Sequence, residues 1–157
     1  MALMDAKEYD PGPARRRWQL ILAAAVVVIV GVVLWWVFRY WPEEHVVDKF
    51  LQAIEAKKMD QAYGIYNADP DWQQHPDNYK SYTYNQFVLD WGPQGDYGPI
   101  TSHTVDCALE LPKKIGRSTG VIVVVTINKR REPKSLWVEK GSKTITTSPR
   151  DALCHAP

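Results

Sequence analysis

The sequence has few of the motifs that carry enzymatic or cofactor chemistry. Its four histidines, His45, His75, His103 and His155, are scattered and form neither an H-x-x-H nor an H-x-x-x-H pair. It has no glycine-rich phosphate loop, no nucleophile elbow and no paired-cysteine motif. We therefore predict no cofactor and no metal site, and these absences weigh against an enzyme.

An excess of charge of one sign is also missing from most of the chain. Residues 43–157 contain 14 lysines and arginines against 15 aspartates and glutamates. A domain with balanced charge gives no electrostatic reason to expect a nucleic-acid partner. The sequence lacks an N-x-[ST] sequon, which favours a bacterial chain over a secreted eukaryotic one.

Charged, amide and hydroxyl side chains are absent from residues 20–38. As an α-helix this run is about 28 Å long, close to the hydrocarbon thickness of a bilayer. We predict a transmembrane helix over residues 18–41 that contacts the lipid bilayer, because the alternative, a buried core helix, is rarely so long. The basic and aromatic residues expected at the membrane interfaces are Arg15, Arg16, Arg17, Trp18, Trp35, Trp36, Arg39, Tyr40 and Trp41.

The basic residues near this run lie mainly before it. Four lysines and arginines precede the run, whereas only Arg39 and Lys49 follow it closely, among acidic residues. The positive-inside rule then makes residues 1–17 a cytoplasmic tail and residues 42–157 one extracytoplasmic domain. No small residues suited to signal-peptide cleavage follow the run. We expect an uncleaved signal anchor in a bacterial inner membrane, with the domain in the periplasm or outside the cell.

Three helices are predicted at the start of the domain. Pro42 suits a first helical turn, and apolar residues then recur at three- and four-residue spacing. Asp60 can cap a second, shorter helix, and residues 67–80 form a polar loop with two prolines. Thr83 and Gln86 fit a capping box that opens a third helix.

Strands are predicted in the second half of the domain. Apolar and polar residues alternate over residues 104–111, which predicts a half-buried strand with Val105 and Cys107 on its apolar face. Residues 121–127 are apolar on both faces and predict a central strand that is covered on both sides. The fold class is therefore α+β, with three helices on one face of an antiparallel sheet of about four strands. The remaining two strands are predicted at residues 136–139 and 144–147.

Two segments resemble a known superfamily. Residues 50–67, FLQAIEAKKMDQAYGIYN, resemble the opening helix pair of the nuclear-transport-factor-2-like superfamily. Residues 90–100, DWGPQGDYGPI, resemble the helix-to-strand junction of small membrane-anchored bacterial proteins with such a domain. This resemblance implies three helices that close one side of a strongly curved sheet around a conical pocket. Members of the superfamily include isomerases, dehydratases, binding proteins and subunits of larger assemblies, so the fold does not choose a function.

The best candidates for catalytic residues lie close to the predicted first strand. They are His103 and Asp106 on the strand and Asp90 at the end of the preceding helix. The resemblance implies a role for them, since enzymes of that superfamily often place aspartate and histidine side chains in the cone to move protons. However, His103 and Asp106 are three residues apart on a strand, so their side chains are expected on opposite faces. The alternative is that all three are solvated surface groups.

The chain has only two cysteines, Cys107 and Cys154, and both are expected outside the cytoplasm. In an oxidising compartment they can form a disulfide that ties the end of the domain to the sheet. The alternative is that Cys107 is a buried thiol and Cys154 a mobile tail residue.

Aromatic residues are dense in the predicted loop, the third helix and the segment after it. Large amphipathic rings are enriched at protein–protein interfaces, so this density predicts a partner-binding surface. The alternative is that several of the rings cover the sheet or line the cone, which we expect for Trp91. The candidate partner-binding residues are Trp72, Tyr79, Tyr82, Tyr84 and Tyr97.

These features together predict a non-catalytic, membrane-anchored accessory or assembly subunit of a larger membrane protein complex. Its partners are expected to be the lipid bilayer and other subunits, reached through the span and the domain. The alternative is a protein of the nuclear-transport-factor-2-like type that binds or transforms a small apolar ligand in the cone. A deep empty pocket that holds a polar pair favours this alternative, and a filled cone with exposed aromatic side chains favours the subunit.

Overall fold

The computed structural model describes residues 12–111 and 119–154, and their side chains from residue 16 onward. The chain divides into two compact units between Arg39 and Tyr40. Residues 1–11 of the predicted cytoplasmic tail lie outside the described residues, as does the side chain of Arg15.

The first unit contains one long helix, α1 (Gly12–Val37). Its 26 residues correspond to a length of about 39 Å. An 18-residue window of this apolar segment has a mean hydropathy of 2.9, and none of that window is buried. By length and composition, α1 can cross a membrane. The predicted span of residues 18–41 extends beyond it, since residues 38–40 form a turn and Trp41 already belongs to the next helix.

The second unit begins with two helices, α2 (Trp41–Glu55) and α3 (Met59–Asn67). Pro42 stands in the first turn of α2, and Glu43 and Glu44 follow it, as the sequence predicts. The apolar spacing of α2 produces a buried face, and its buried residues include Val47, Phe50, Leu51 and Ile54. The C-cap of α3, Ala68, has a left-handed backbone with φ of 54°.

A long connection leads from α3 to α4 (Tyr84–Trp91). The connection contains two short 3₁₀ turns, Trp72–Gln74 and Pro76–Tyr79. The predicted capping box at the start of α4 is confirmed. The backbone N–H of Thr83 donates to Gln86 Oε1 at 2.9 Å, and the backbone N–H of Gln86 donates to Thr83 Oγ1 at 3.4 Å.

The second half of the unit is an open, antiparallel four-stranded sheet with strands in the order β1-β2-β3-β4. Asn128 and Lys129, between β2 and β3, have φ of 51° and 55°. Arg130 N donates to Ile127 O at 3.0 Å across them, which is the geometry of a type I′ turn at the start of the connection to β3. The strands are β1 (His103–Leu109), β2 (Gly120–Ile127), β3 (Lys134–Glu139) and β4 (Ile145–Thr147).

A β-bulge interrupts the alternation of β1. Val105 pairs with Val125, but the next paired residue is Cys107, opposite Val124, so Asp106 is the extra residue. Val105 and Ala108 therefore both pack against the core beneath the helices. Cys107 lies on the opposite face of the sheet, which we call the outer face. The expectation that Val105 and Cys107 share one face is wrong because a bulge reverses the alternation.

Both faces of the central strand β2 are buried, as its sequence predicts. On one face the core lies between the sheet and α2, and side chains with no exposed surface fill the space between them. They are Val47, Phe50 and Leu51 from α2 and Val121, Val123 and Val125 from β2.

The outer face of β2 is covered differently. Val124 is 1% exposed, although it does not belong to the hydrophobic core beneath the helices. Residues 148–154, which we call the strap, are attached to the neighbouring strands by hydrogen bonds to Ser135 and by a disulfide between Cys107 and Cys154. Of the two alternatives for the cysteines, the structure has the disulfide, with Cα atoms 5.9 Å apart.

Candidate functional site

Tyr63 organises the aromatic residues at the helical end of the domain. Its ring has no exposed surface, and its hydroxyl donates to the carbonyl of Tyr82 at 2.5 Å. The rings around it all meet it at steep angles, an arrangement that aromatic pairs prefer. Their centroid distances from Tyr63 are 4.7 Å for Trp72, 5.5 Å for Tyr84, 6.0 Å for Tyr79 and 5.2 Å for Phe87.

Trp72 is held on both sides and at its nitrogen. Its indole stacks on Tyr84 with 5.0 Å between centroids, and its Nε1 donates to the carbonyl of Asp60 at 3.2 Å. Helix α3 also contacts this region, because Gly64 has no side chain and the connection that carries Trp72 can approach the helix closely. A Cβ on Gly64 would lie 3.1 Å from Asp69 O and 3.5 Å from Trp72 Cδ1. Trp72 is therefore half-buried and preorganised.

The tyrosine hydroxyls of this region are also fixed by carboxylates. Tyr79 donates to Asp69 Oδ2 at 2.5 Å, and this hydrogen bond is the main cause that raises the pKa of Tyr79 to about 12. Burial, followed by a hydrogen bond to Asp60, raises the pKa of Tyr84 to about 12. These phenols remain protonated donors at neutral pH, and their rings are held in place.

Two grooves flank Trp72. The larger one, which we call the Trp72 groove, has a volume of about 550 Å³ and is lined by apolar Val46, Ile65 and Trp72 and by exposed Gln61 and Gln73, among others. The smaller one, the Tyr79 groove, has a volume of about 200 Å³. Its lining includes Trp72, Pro76, Tyr79 and Tyr84.

One charged residue of the Trp72 groove is engaged in an ion pair. Lys143, in the turn between β3 and β4, donates to Glu43 Oε1 at 2.6 Å, and the Glu43 side chain is buried. This pair joins the start of α2 to the sheet. The groove is thus mainly apolar in character.

The structure brings only some of the predicted partner-binding residues together. Trp72, Tyr79 and Tyr84 share one surface, which we call the aromatic surface. Tyr82 packs on Tyr66 and donates to Asp90 Oδ2 at 2.8 Å, and burial together with this bond raises its pKa.

Tyr97 belongs to a different part of the domain. Its ring stacks on Trp91, with 6.0 Å between centroids, and lies 5.4 Å from the guanidinium carbon of Arg130. Trp91 is buried edge-on against Phe50, as expected for it. Asn128 holds this segment, because its Nδ2 donates to the carbonyls of Tyr97 and Pro99.

The three candidate catalytic residues do not form one constellation. His103 and Asp106 both line a groove of about 370 Å³ at the edge of the sheet. The carboxylate of Asp106, however, accepts a hydrogen bond from Thr126 Oγ1 at 2.7 Å. Asp90 is the acceptor of the Tyr82 hydroxyl and does not line that groove.

The partners of His103 are two carboxylates that sequence reasoning missed. Its Nδ1 lies 2.6 Å from Glu55 Oε1 and its Nε2 lies 3.0 Å from Asp48 Oδ1. The signal in the sequence is the spacing of Asp48 and Glu55, seven residues or about two helical turns apart on one face of α2. Both ring nitrogens are engaged, so the imidazole joins β1 to α2 and is not available as a base or ligand while these contacts last.

The same groove holds further ionisable groups near the start of α2. His45 stacks on Trp41 with 4.8 Å between ring centroids. Burial, and then the charge of Glu43, raise the pKa of Glu44. Within residues 12–111 and 119–154, no three histidine, cysteine or acidic residues are grouped so as to hold a metal ion.

Comparison with protein-family models, with curated proteins and with solved structures found no match to this chain. The resemblance to the nuclear-transport-factor-2-like superfamily therefore stays a prediction.

Proposed function

We propose that this chain is a single-pass membrane protein and a non-catalytic accessory or assembly subunit of a larger membrane complex. In this proposal α1 spans a bacterial inner membrane, the N-terminus is cytoplasmic, and the second unit lies outside the cytoplasm. The observation that carries the proposal is α1, a 26-residue helix whose described apolar side chains are all exposed.

The free energy of exposing α1 to water supports a lipid environment. Fourteen large apolar side chains between Leu20 and Val37 are at least half exposed. At about 1.5 kcal/mol or more for each side chain, burying them in a bilayer stabilises the helix by on the order of 20 kcal/mol. The basic residues that precede the apolar run beginning at Leu20 support the orientation.

The aromatic surface supports a docking role for the second unit. Tryptophan and tyrosine are the residues that most often dominate binding energy at interfaces. Trp72 and Tyr84 are already held in place, so a partner that covers them loses little side-chain entropy on binding. The adjoining Trp72 groove offers an apolar recess beside these rings.

A second candidate function is the binding of a small apolar ligand. The volume of the Trp72 groove, about 550 Å³, falls within the range of about 300–1,000 Å³ that is typical of ligand sites. In this alternative the ligand lies in the Trp72 groove and not between the helices and the sheet, because side chains of α2 and β2 fill that space. The bulge in β1 is compatible with the curved sheet of the nuclear-transport-factor-2-like fold, which we retain as part of the proposal.

Gentle detergent extraction followed by native gels and mass spectrometry tests the accessory role. The wild-type chain is expected to migrate with other membrane proteins. Replacing Gln61 and Gln73 by arginine places charge and bulk in the Trp72 groove at exposed positions, so the double variant is expected to fold and to migrate alone. Leu89→Ala is the matched control, since Leu89 is 61% exposed on α4 and does not line the groove.

Each result separates the two candidate functions. A wild-type chain that migrates alone under mild extraction would overturn the accessory role in favour of the ligand-binding alternative. In that alternative the double variant loses binding of an apolar fluorescent probe, and Leu89→Ala retains it.

A further inference from the structure

The strap crosses the outer face of the sheet at one defined place. Cys107 in β1 and Ser135 in β3 are both register partners of Val124 in β2. Cys154 of the strap forms the disulfide with Cys107, and Ala152 of the strap is hydrogen-bonded to Ser135. The segment between these attachments therefore passes over β2 at Val124, which accounts for the burial of that side chain.

Within the described residues, the hydrogen bonds from the strap to the sheet all go to Ser135. Ser135 Oγ accepts from the N–H of Ala152 at 2.9 Å and donates to the carbonyl of Ala152 at 3.3 Å. The carbonyl of Ser135 accepts from the N–H of Ser148 at 3.4 Å. Without the disulfide, the strap is held by its chain connection to β4 and by these hydrogen bonds to Ser135, which water can replace.

The two sulfur atoms differ in their surroundings. Cys107 follows Asp106, whose carboxylate is exposed and repels an approaching thiolate. Cys154 follows Leu153, which is 66% exposed on the strap. Cys107 and Cys154 are both partly exposed, so a thiolate can reach the disulfide, and the charge of Asp106 favours attack at Cys154.

We propose that Cys107–Cys154 is an exchangeable disulfide, reduced by a dithiol oxidoreductase of the Cys-x-x-Cys class, and that its reduction releases the strap and uncovers the outer face of the sheet at Val124. A thiolate of the reductant attacks Cys154 Sγ, a mixed disulfide forms, and Cys107 leaves as a thiolate and takes up a proton. The second thiol of the reductant then displaces Cys154 as a thiolate. The protein gains two electrons and the reductant is oxidised to its own disulfide. This inference does not depend on the accessory role proposed above.

Hydrogen exchange of the full chain in mild detergent, before and after reduction with dithiothreitol, tests the release. The amides of Ser148 and Ala152 report the strap, and those of β2 report the sheet. Reduction is expected to speed exchange at the two strap amides at least tenfold and to change exchange in β2 less than twofold. Unchanged strap amides would overturn the proposal. An equal rise in β2 would overturn it as well, because the disulfide then maintains the whole fold.

Two variants serve as controls. The double variant Cys107→Ser, Cys154→Ser is expected to show fast strap exchange without reductant. Ser135→Ala keeps the disulfide and is expected to speed exchange at Ala152 in the oxidised chain, with no change in β2. If the double variant fails to fold, the reduction of the wild-type chain decides the release on its own.

A trapping experiment tests the chemistry. The probe is thioredoxin whose second active-site cysteine is replaced by serine, so that a mixed disulfide cannot resolve. Peptide mapping is expected to find the adduct on Cys154. No adduct, or an adduct on Cys107 alone, would refute the proposed exchange at Cys154.

Discussion

Replacing Trp72 by alanine is expected to lower the free energy of unfolding of the second unit by roughly 3 kcal/mol. The indole packs against Tyr63 and Tyr84, and truncating a fully buried large aromatic residue costs about 3–5 kcal/mol. Trp72 is half-buried, so we take roughly 2 kcal/mol for lost packing. The hydrogen bond from Nε1 to Asp60 O adds roughly 1 kcal/mol.

Trp72→Phe separates the two contributions. It retains a ring against Tyr63 but removes the indole N–H, so we expect it to cost roughly 1 kcal/mol. Denaturant unfolding in detergent micelles, followed by a spectroscopic signal of the sheet, measures the stability of both variants. The control is Leu89→Ala, whose stability is expected to lie within about 0.5 kcal/mol of wild type.

The result decides how binding data on Trp72 are interpreted. If Trp72→Ala is as stable as Leu89→Ala, the ring does not pack on Tyr63 and the description of the aromatic surface is wrong. If it is destabilised as expected, its loss from a complex does not prove direct contact with a partner. This is why the exposed positions Gln61 and Gln73 carry the binding test.

Three further outcomes follow from the structure. Asn128→Gly keeps a residue suited to φ of 51° but loses the side-chain bonds to Tyr97 and Pro99, so it is expected to cost about 2 kcal/mol, and Asn128→Ala about 1 kcal/mol more. A chemical denaturation series in which Asn128→Ala is more stable than Asn128→Gly would contradict this. Asp69→Asn is expected to lower the pKa of Tyr79 from about 12 towards 10, measured by tyrosinate absorbance. The folded chain keeps a proton that the unfolded chain loses between pH 10 and 12, so wild-type stability falls as pH rises through this window, and less steeply in the variant. Alkaline phosphatase fused after the last residue is expected to be active, and an inactive fusion with an active cytoplasmic reporter would reverse the proposed orientation.

Local signals explain which parts of the fold were predictable. The helices of the second unit follow from apolar spacing, a proline in the first turn and a capping box, all of which act within a few residues. The central strand was predictable because seven consecutive residues suit burial on both faces. Each of these signals lies within the element that it specifies.

The bulge in β1 was not predictable in the same way. The alternation from Val105 onward reads as a regular strand, and nothing within the strand marks Asp106 as the extra residue. Which residue of β1 forms the bulge depends on the pairing with β2, where Thr126 donates a hydrogen bond to Asp106 and Val124 pairs with Cys107. A long-range pairing thus decides which face a local pattern presents.

The role of His103 depends on distant residues too. Asp48 and Glu55 precede it by 55 and 48 residues, so only the packing of α2 on β1 reveals that they flank the ring. The aromatic residues show a related limit. Their density was visible in the sequence, but the rings of the aromatic surface are the ones that pack around Tyr63. Tyr97 lies elsewhere, in a segment held by the hydrogen bonds of Asn128.

The two proposals concern different sides of one sheet, and the alternation of β2 predicts that they are independent. Val123 and Val125 pack beneath the helices, whereas Val124 faces the strap. Release of the strap removes cover from Val124 and leaves the contacts of α2 and α3 that position Trp72. Binding at the Trp72 groove is therefore expected to change less than twofold when the disulfide is reduced. A large loss of binding on reduction, with β2 amides still protected, would show instead that the strap and the aromatic surface are coupled through the strand between them.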